Sequence, residues 1–245
     1  MRASALIGGL LGLALAACGS SAAQNNQAAP PPPTALTLVY ASPERPEDRL
    51  TIQRDAAGRI RAEEGDGQFI IIRDGTVYLN PRPPGGGERV IARLEDMLVI
   101  GAEVRANMVR AGVMQEGPDA TAYRLVDQGP ASVGQWRGRR FELDPEGSGV
   151  TLSAIISDDP ALADARALAA TVLEARARLE GAVFVFPEQY VRLEAELRGR
   201  GMPIMWDRQE LRSISTDPVP ASRFELPGPV LSREALRARL MPQRN

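Results

Sequence analysis

The chain has 245 residues, of which 44% are hydrophobic, and a formal net charge of −2. It contains one cysteine and no histidine, and its 29 basic residues are all arginine. These absences exclude Ser-His-Asp and Cys-His catalysis, zinc sites built from imidazole and thiolate, and lysine-dependent Schiff-base or Walker-type phosphate chemistry. The near-neutral charge argues against nucleic acid as a partner, because phosphate binding requires clustered basic residues.

The first 17 residues have the pattern of an export signal. Met1-Arg2 precedes an apolar run, residues 3–14, that is shorter than the roughly 20 residues a membrane-spanning helix needs. The run leads to Leu15-Ala16-Ala17-Cys18, which resembles the bacterial lipobox, where the cysteine thiol receives a diacylglycerol and the signal is removed. We therefore expect residues 1–17 to be a lipoprotein signal peptide and Cys18 to carry acyl chains, such as palmitate, that anchor the protein in a membrane.

The residues after the cysteine bear on location. In lipoproteins of this kind an Asp at the next position often retains the protein at the inner membrane, whereas this chain has Gly19. We therefore expect the outer membrane, with the protein facing the periplasm. Residues 18–34 continue with small and polar side chains and four prolines, a composition that cannot bury a core and predicts a disordered tether.

Alternation of apolar and polar residues begins at residue 35 and predicts antiparallel strands. Leu36, Leu38 and Tyr40 share one face of the first strand, and residues 50–62 predict a hairpin. A second hairpin is centred on Asp74-Gly75, a dipeptide that tolerates the positive φ angles of a tight turn between two apolar runs.

Helical spacing of apolar residues first occurs at residues 88–110, which predict an amphipathic helix. A second predicted helix begins at Asp159, an N-cap residue, with Pro160 in its first turn, and it ends at Gly181. A third helix is predicted at residues 187–199.

The remaining segments predict short strands and a tail. The strands are expected at residues 123–126, 133–143, 150–156, 204–206, 211–215 and 223–226. Because strands follow one another directly rather than alternating with helices, we expect an antiparallel sheet and the α+β class. The folded domain would span residues 35–230, and residues 231–245 would form a short helix or a frayed end.

Carboxylates are the main catalytic groups that the composition leaves. The adjacent pairs Glu95-Asp96 and Asp158-Asp159 diverge by about 100 degrees on a helix and do not converge on one substrate atom. A pair assembled from distant positions is invisible in a sequence, so a carboxylate-dependent hydrolase remains a third hypothesis, and we expect no enzyme activity.

Four stretches resemble the strand motifs of LolA-like envelope proteins, and they are closest to a lipoprotein branch of that family. They are IIRDGTVYL (residues 71–79), VGQWRGRRF (133–141), GMPI (201–204) and FELP (224–227). The resemblance covers residues 36–227. It implies an unclosed antiparallel β half-barrel of about eleven strands, whose concave face is covered by helices and encloses an apolar cavity for acyl chains.

Such a fold makes eight bulky and mostly flexible side chains candidates for lining the cavity. They are Met97, Leu98, Met108, Trp136, Phe141, Met202, Met205 and Trp206. Methionine suits a surface that accommodates variable lipid tails, although the same residues would also fill a solid core. Arg137, Arg139 and Arg140 would either meet a lipid phosphate at the cavity mouth or lie solvated at a sheet edge.

We therefore expect a lipoprotein, anchored by Cys18 at the periplasmic face of the outer membrane, that binds a lipid, a lipidated protein or another apolar ligand without chemistry, metal or cofactor. An anchored protein suits local reception or handover of a ligand better than transport. The alternative is an envelope scaffold or interaction protein with a solid core. A continuous cavity would favour the first hypothesis, an exposed apolar patch the second, and two facing buried carboxylates the hydrolase.

Overall fold

An open antiparallel sheet with helices packed on it is the framework of the molecule. The computed structural model describes residues 34–83, 86–114, 122–145, 152–183 and 188–241, so the predicted anchor Cys18 lies outside the described residues. Within these ranges the strands are β1 (Leu36–Ala41), β2 (Arg49–Arg54), β3 (Ile60–Glu64), β4 (Phe69–Arg73), β5 (Thr76–Leu79), β6 (Ala92–Arg93), β7 (Tyr123–Val133), β8 (Trp136–Pro145), β9 (Leu152–Ser157), β10 (Met202–Trp206) and β11 (Gln209–Ser215). The helices are α1 (Leu94–Arg110), α2 (Ala163–Val183), α3 (Glu188–Gly199) and α4 (Arg233–Leu240).

The strand order confirms the α+β class and the unclosed half-barrel of eleven strands. The order across the sheet is β6-β5-β4-β3-β2-β1-β11-β10-β9-β8-β7, and neighbouring strands are antiparallel. β1 and β11, the first and last strands along the chain, are neighbours near the middle of the sheet, where Leu38 pairs with Ile214. Among the described residues, no helix is both long and apolar enough to cross a membrane.

The hairpin predicted at Asp74-Gly75 is present. Arg73 of β4 pairs with Thr76 of β5, and the two turn residues have φ angles of 51° and 70°. Both angles are positive, which glycine and aspartate adopt more readily than most residues.

α2 covers the inner face of the half-barrel, the face on which the main core lies. Leu168 and Val172 of α2 are fully buried and pack in one cluster with Leu38 and Ile52 of the sheet. α1 crosses α2 closely, because a Cβ added at Gly101 would lie 3.1 Å from the Cβ of Ala182. The small residue at this crossing therefore lets the two helices share the inner face.

α3 covers the other end of the sheet. Its Leu197 is fully buried and packs against Phe141, Ala154 and Ile156 of β8 and β9. The helix is also tied to the β7 edge, because the Tyr123 N–H donates to Gln189 Oε1 (3.1 Å) and Gln189 Nε2 donates to the Tyr123 carbonyl (2.6 Å).

The predicted helix start at residue 88 was wrong, since α1 begins at Leu94. The residues before it take backbone partners from distant parts of the chain. The Val90 N–H donates to the Pro81 carbonyl (3.1 Å), and the Leu231 N–H donates to the Ile91 carbonyl (2.9 Å). These long-range bonds override the helical spacing of the side chains.

The predicted strand boundary at residue 133 was also wrong. β7 extends to Val133, which pairs with Trp136 of β8 across a two-residue turn, and Gly134 in that turn has φ 53°. The strand signal is interrupted within β7 because a bulge lies between Asp127 and Gly129. Gly129 has φ 92°, which few other residues tolerate.

Residues 223–226 do not form the predicted strand. A 3₁₀ turn spans Ala221–Phe224, and Phe224 is completely buried with the Arg59 guanidinium 5.4 Å from its ring centre. Arg223 Nη2 binds Glu63 on β3 at 2.7 Å. A buried side chain and a long-range ion pair therefore fix this segment against the sheet without strand pairing.

The chain after this turn crosses the outer face of β4 and β5 and reaches α1. Leu226 and Val230 pack against Phe69 and Ile71, whose neighbours Ile70 and Ile72 face the inner core. α4 then packs on α1, with its Leu236 fully buried in a cluster with Ala92 and Ile100. Two ion pairs hold it there: Arg233–Asp96 (2.7 Å) and Arg237–Glu103 (2.5 Å).

Candidate functional site

Two adjoining cavities lie between α2 and the inner face of the sheet. The first has a volume of about 500 Å³ and is bounded by α2, α3 and residues of β1, β2 and β10. The second has a volume of about 570 Å³ and is bounded by α1, α2 and strands β2 to β5. Four residues border both cavities: Leu50, Glu64, Arg176 and Glu180.

The second cavity is mainly apolar. Its apolar lining consists of Leu50, Ala62, Phe69, Ile70, Leu79, Pro81, Met97 and Leu179, and its charged lining residues are Glu64, Arg82, Arg176 and Glu180. Asn80 also borders it, but its amide is engaged, because the Phe69 N–H donates to Asn80 Oδ1 (2.6 Å) and Asn80 Nδ2 donates to the Gly67 carbonyl (2.9 Å). An apolar pocket with a few polar groups is the usual form of a small-molecule site.

The first cavity is rich in charged groups. Its acidic residues are Glu47, Asp48, Glu64, Asp66, Glu180, Glu194 and Asp207, and its basic residues are Arg45, Arg49, Arg176 and Arg208. Some are paired at the rim, such as Arg45 with Asp48 at 2.8 Å. The Gln68 backbone N–H and Arg89, 2.6 Å away, lower the pKa of Asp66, so this carboxylate is held in its charged form.

α3 places Tyr190 and Glu194 at the first cavity. The Tyr190 ring lies edge-on to that of Tyr123, with ring centres 5.5 Å apart. Burial, together with the carboxylates of Glu194 and Glu180, raises the pKa of Tyr190 to about 12. Burial also raises the pKa of Glu194, although Arg198 pairs with it at 2.8 Å. Ionisation of Glu194 is therefore less favourable in the fold than in water.

α2 presents a stripe of side chains to the first cavity. The stripe is Ala169, Leu173, Arg176, Ala177 and Glu180, all of which line the first cavity. Arg176 Nη2 lies 3.1 Å from Glu64 Oε1 on β3. At its other end the helix is preceded by a 3₁₀ turn that Asp159 caps, because the Ala161 N–H donates to its carboxylate (2.9 Å). This confirms the cap predicted at Asp159.

Tyr40 forms part of the floor of the first cavity. Its hydroxyl donates to the Pro203 carbonyl at 2.8 Å, which joins β1 to β10 across β11. Burial raises the pKa of this hydroxyl, so it stays protonated and able to donate. The bond therefore fixes the curvature of the sheet beside the cavity.

Two of the eight predicted lining residues border these cavities. Met97 lines the second cavity and Trp206 the first, and both are half-buried. The other six are placed differently. Met202 and Met205 are buried in the main core, and Phe141 is buried beneath α3.

The remaining candidates lie farther from the cavities. Leu98 and Trp136 are half-buried and pack against the main core. Met108 is half-buried near the end of α1, where its carbonyl accepts from the N–H groups of Val113 and Met114. The structure therefore does not bring the eight side chains together at one site.

The predicted arginine group also lies outside the linings of the two cavities. Arg137 is exposed, and Arg139 is exposed and pairs with Asp127 at 2.8 Å. Arg140 Nη1 donates to the Ser153 hydroxyl at 3.3 Å. This arrangement fits solvated arginines near the sheet edge.

Sequence reasoning missed the charged residues of the cavities. Glu64, Arg176, Glu180 and Glu194 come together only through packing of α2 and α3 on the sheet. One local signal was present, because Arg176 and Glu180 fall in the same helical stripe as Leu173, which should face the core.

Comparison of the chain with protein-family models, with curated proteins and with solved structures finds no match.

Proposed function

We propose that this protein binds an amphipathic, lipid-like ligand in the groove between α2 and the sheet and performs no chemistry on it. The proposal includes the anchor: acylated Cys18 would hold the domain at the periplasmic face of the outer membrane, as the lipobox resemblance implies. The ligand would be received or handed over locally, because an anchored protein suits these roles better than transport. No metal or cofactor takes part.

The observation that carries the proposal is the pair of adjoining cavities. An apolar cavity of about 570 Å³ adjoins a charged one of about 500 Å³, and four residues line both. An apolar cavity beside a charged one suits a molecule with an apolar chain and a polar head. Volumes of about 300–1,000 Å³ are typical for small-molecule sites.

The scaffold alternative has less support. Among the described residues the exposed large hydrophobic side chains are Val99, Val113 and Val191, which lie on α1, just after α1 and on α3. They do not form the contiguous apolar patch that a docking surface needs.

The hydrolase hypothesis also has less support. The buried carboxylates of the described residues, Asp55 and Asp96, each have an arginine partner, Arg59 (2.5 Å) and Arg233 (2.7 Å). Asp55 also accepts the N–H groups of its own turn, those of Ala57 and Arg59. Both carboxylates are thus engaged in holding the fold.

The test uses the whole chain with Cys18→Ser, which removes the acylation site. After gentle purification, native mass spectrometry and lipid extraction should recover a copurified acyl-chain molecule at near-equal stoichiometry. An anthroyloxy-labelled fatty acid should bind the emptied protein and be displaced by unlabelled palmitate. Repeated recovery of empty protein, together with no binding of the labelled acid, would overturn the proposal and favour the scaffold.

A matched pair of variants locates the binding. Leu179→Trp enlarges a half-buried side chain that lines the second cavity, and we expect it to weaken binding of the labelled acid at least tenfold. Val99→Trp makes a similar enlargement on the exposed side of α1, outside both cavities, and should leave binding unchanged. Equal effects of the two variants would contradict binding between α2 and the sheet.

A further inference from the structure

The Glu64–Arg176 ion pair stands where the two cavities meet, since both of its residues line both cavities. Glu64 is the last residue of β3, lies opposite Leu50 of β2, and donates its backbone N–H to the Gln68 carbonyl (2.8 Å). Its carboxylate is therefore attached to a rigid part of the sheet. Arg176 reaches it from α2, so the pair spans the gap between helix and sheet.

We propose that this ion pair determines the length of the apolar chain that the site accepts, an inference that rests on the proposed lipid-like ligand. A chain would first fill the apolar second cavity of about 570 Å³. A longer chain would have to pass between Glu64 and Arg176 to reach the further 500 Å³ or so of the first cavity.

The physical reason is the hydration of the pair. Each of the two side chains is 33% exposed, so water still solvates the charges. An apolar chain passing between them would remove this water and separate the charges, and burying an unpaired charge is unfavourable. Chain length beyond the second cavity would therefore add no affinity while the ion pair is intact.

The expected measurement is a series of affinities. The Cys18→Ser chain is titrated with laurate, palmitate, stearate, behenate, lignocerate and hexacosanoate, each displacing an anthroyloxy-labelled fatty acid. In the parent chain the affinity should rise by about fourfold for each added methylene that is buried, and then stop rising at a limiting length. In the double variant Glu64→Gln/Arg176→Ala, which leaves neither charge where the cavities meet, the limit should move to longer acids, giving those acids a gain of about tenfold or more.

Two further variants separate the ion pair from general effects on α2. Glu64→Gln/Arg176→Gln also removes both charges but keeps long side chains, and it should move the limit in the same direction if the first double variant proves unstable. Asp164→Ala removes a different ion pair between α2 and the sheet, Arg54–Asp164 (2.7 Å), whose residues line neither cavity. It should leave the limiting length unchanged.

The outcomes are distinguishable. A limit that moves in the double variants but not in Asp164→Ala supports the inference. The same dependence on chain length in the parent chain and all variants overturns it while leaving the proposed function standing. Absence of binding by every acid in every form overturns the proposed function, and this inference with it.

Discussion

Replacement of Phe224 by alanine tests whether the segment after β11 is a structural part of the domain. The side chain is 0% exposed, and Arg59 stacks on its ring at 5.4 Å. Truncation of a fully buried phenylalanine costs about 3–5 kcal/mol of unfolding free energy, to which loss of the cation–π contact adds about 0.5–1 kcal/mol. This is a large share of the roughly 5–15 kcal/mol that stabilises a typical domain.

The effect is measured as a shift in Tm by circular dichroism of the Cys18→Ser chain. For a protein of this size each kcal/mol lowers Tm by about 2–4 °C, so the total cost of Phe224→Ala should lower it by roughly 7–24 °C. The adjacent Glu225 is exposed, and Glu225→Ala should change stability by less than about 0.5 kcal/mol. A Tm for Phe224→Ala within about 2 °C of the Glu225→Ala value would refute the reasoning that this residue closes the outer face.

Four other substitutions test a cavity residue, two glycine positions and the packing of α4. Burial raises the pKa of Glu194 above its ordinary value of 4.5, so its ionisation lowers stability as the pH rises through the folded pKa. Glu194→Gln should therefore raise Tm at neutral pH and lose this advantage below about pH 4.5; a lower Tm at neutral pH would contradict it. A Cβ at Gly65 would collide with the Glu47 carbonyl oxygen, so Gly65→Ala should lower the free energy of unfolding, measured by chemical denaturation, by about 1–3 kcal/mol. Gly181 in α2 has open space around it, so Gly181→Ala should raise the free energy of unfolding by up to about 1 kcal/mol. Leu236→Ala should cost about 2–5 kcal/mol in the same assay, and a negligible effect would mean that α4 unfolds separately from the rest.

Local chemistry was sufficient to predict those elements whose signals are short-range. The Asp74-Gly75 turn and the Asp159 cap depend on backbone preferences of two or three residues, and both are present. The antiparallel α+β architecture followed from strands that succeed one another without intervening helices. These features need no knowledge of which distant segments meet.

The incorrect predictions share a different cause. Val90 and Ile91 have helical spacing, but their backbone groups bond to Pro81 and Leu231. Phe224 lies in an apolar stretch that reads as a strand, yet it is buried under Arg59 instead of pairing in the sheet. In each case a contact across many residues decides the backbone conformation, and no local window contains that information.

The candidate site was predictable only in part for a similar reason. A list of bulky side chains identified Met97 and Trp206, because large apolar residues are enriched both in cavities and in cores. The same list also selected Met202, which simply fills the core. Whether a large apolar side chain borders a cavity or fills the core depends on how the helices pack on the sheet, and no local window of sequence contains that information.

α2 forms ion pairs with the sheet at two places along its length, through Asp164 near its start and through Arg176 farther along. At its start, Asp164 binds Arg54 (2.7 Å), and Arg54 also donates to the carbonyl of Thr34 (3.0 Å), where the described chain begins. Arg176 lies 176 − 164 = 12 residues along the helix, which is about 18 Å at the usual rise of about 1.5 Å per residue. The Arg54–Asp164 attachment is therefore well separated along α2 from the Glu64–Arg176 ion pair, although the lining of the first cavity extends along the helix as far as Ala169. If Cys18 is held at a membrane, Asp164→Ala would remove an ion pair beside the start of the described chain without touching Glu64 or Arg176, so the two regions can be altered independently by substitution.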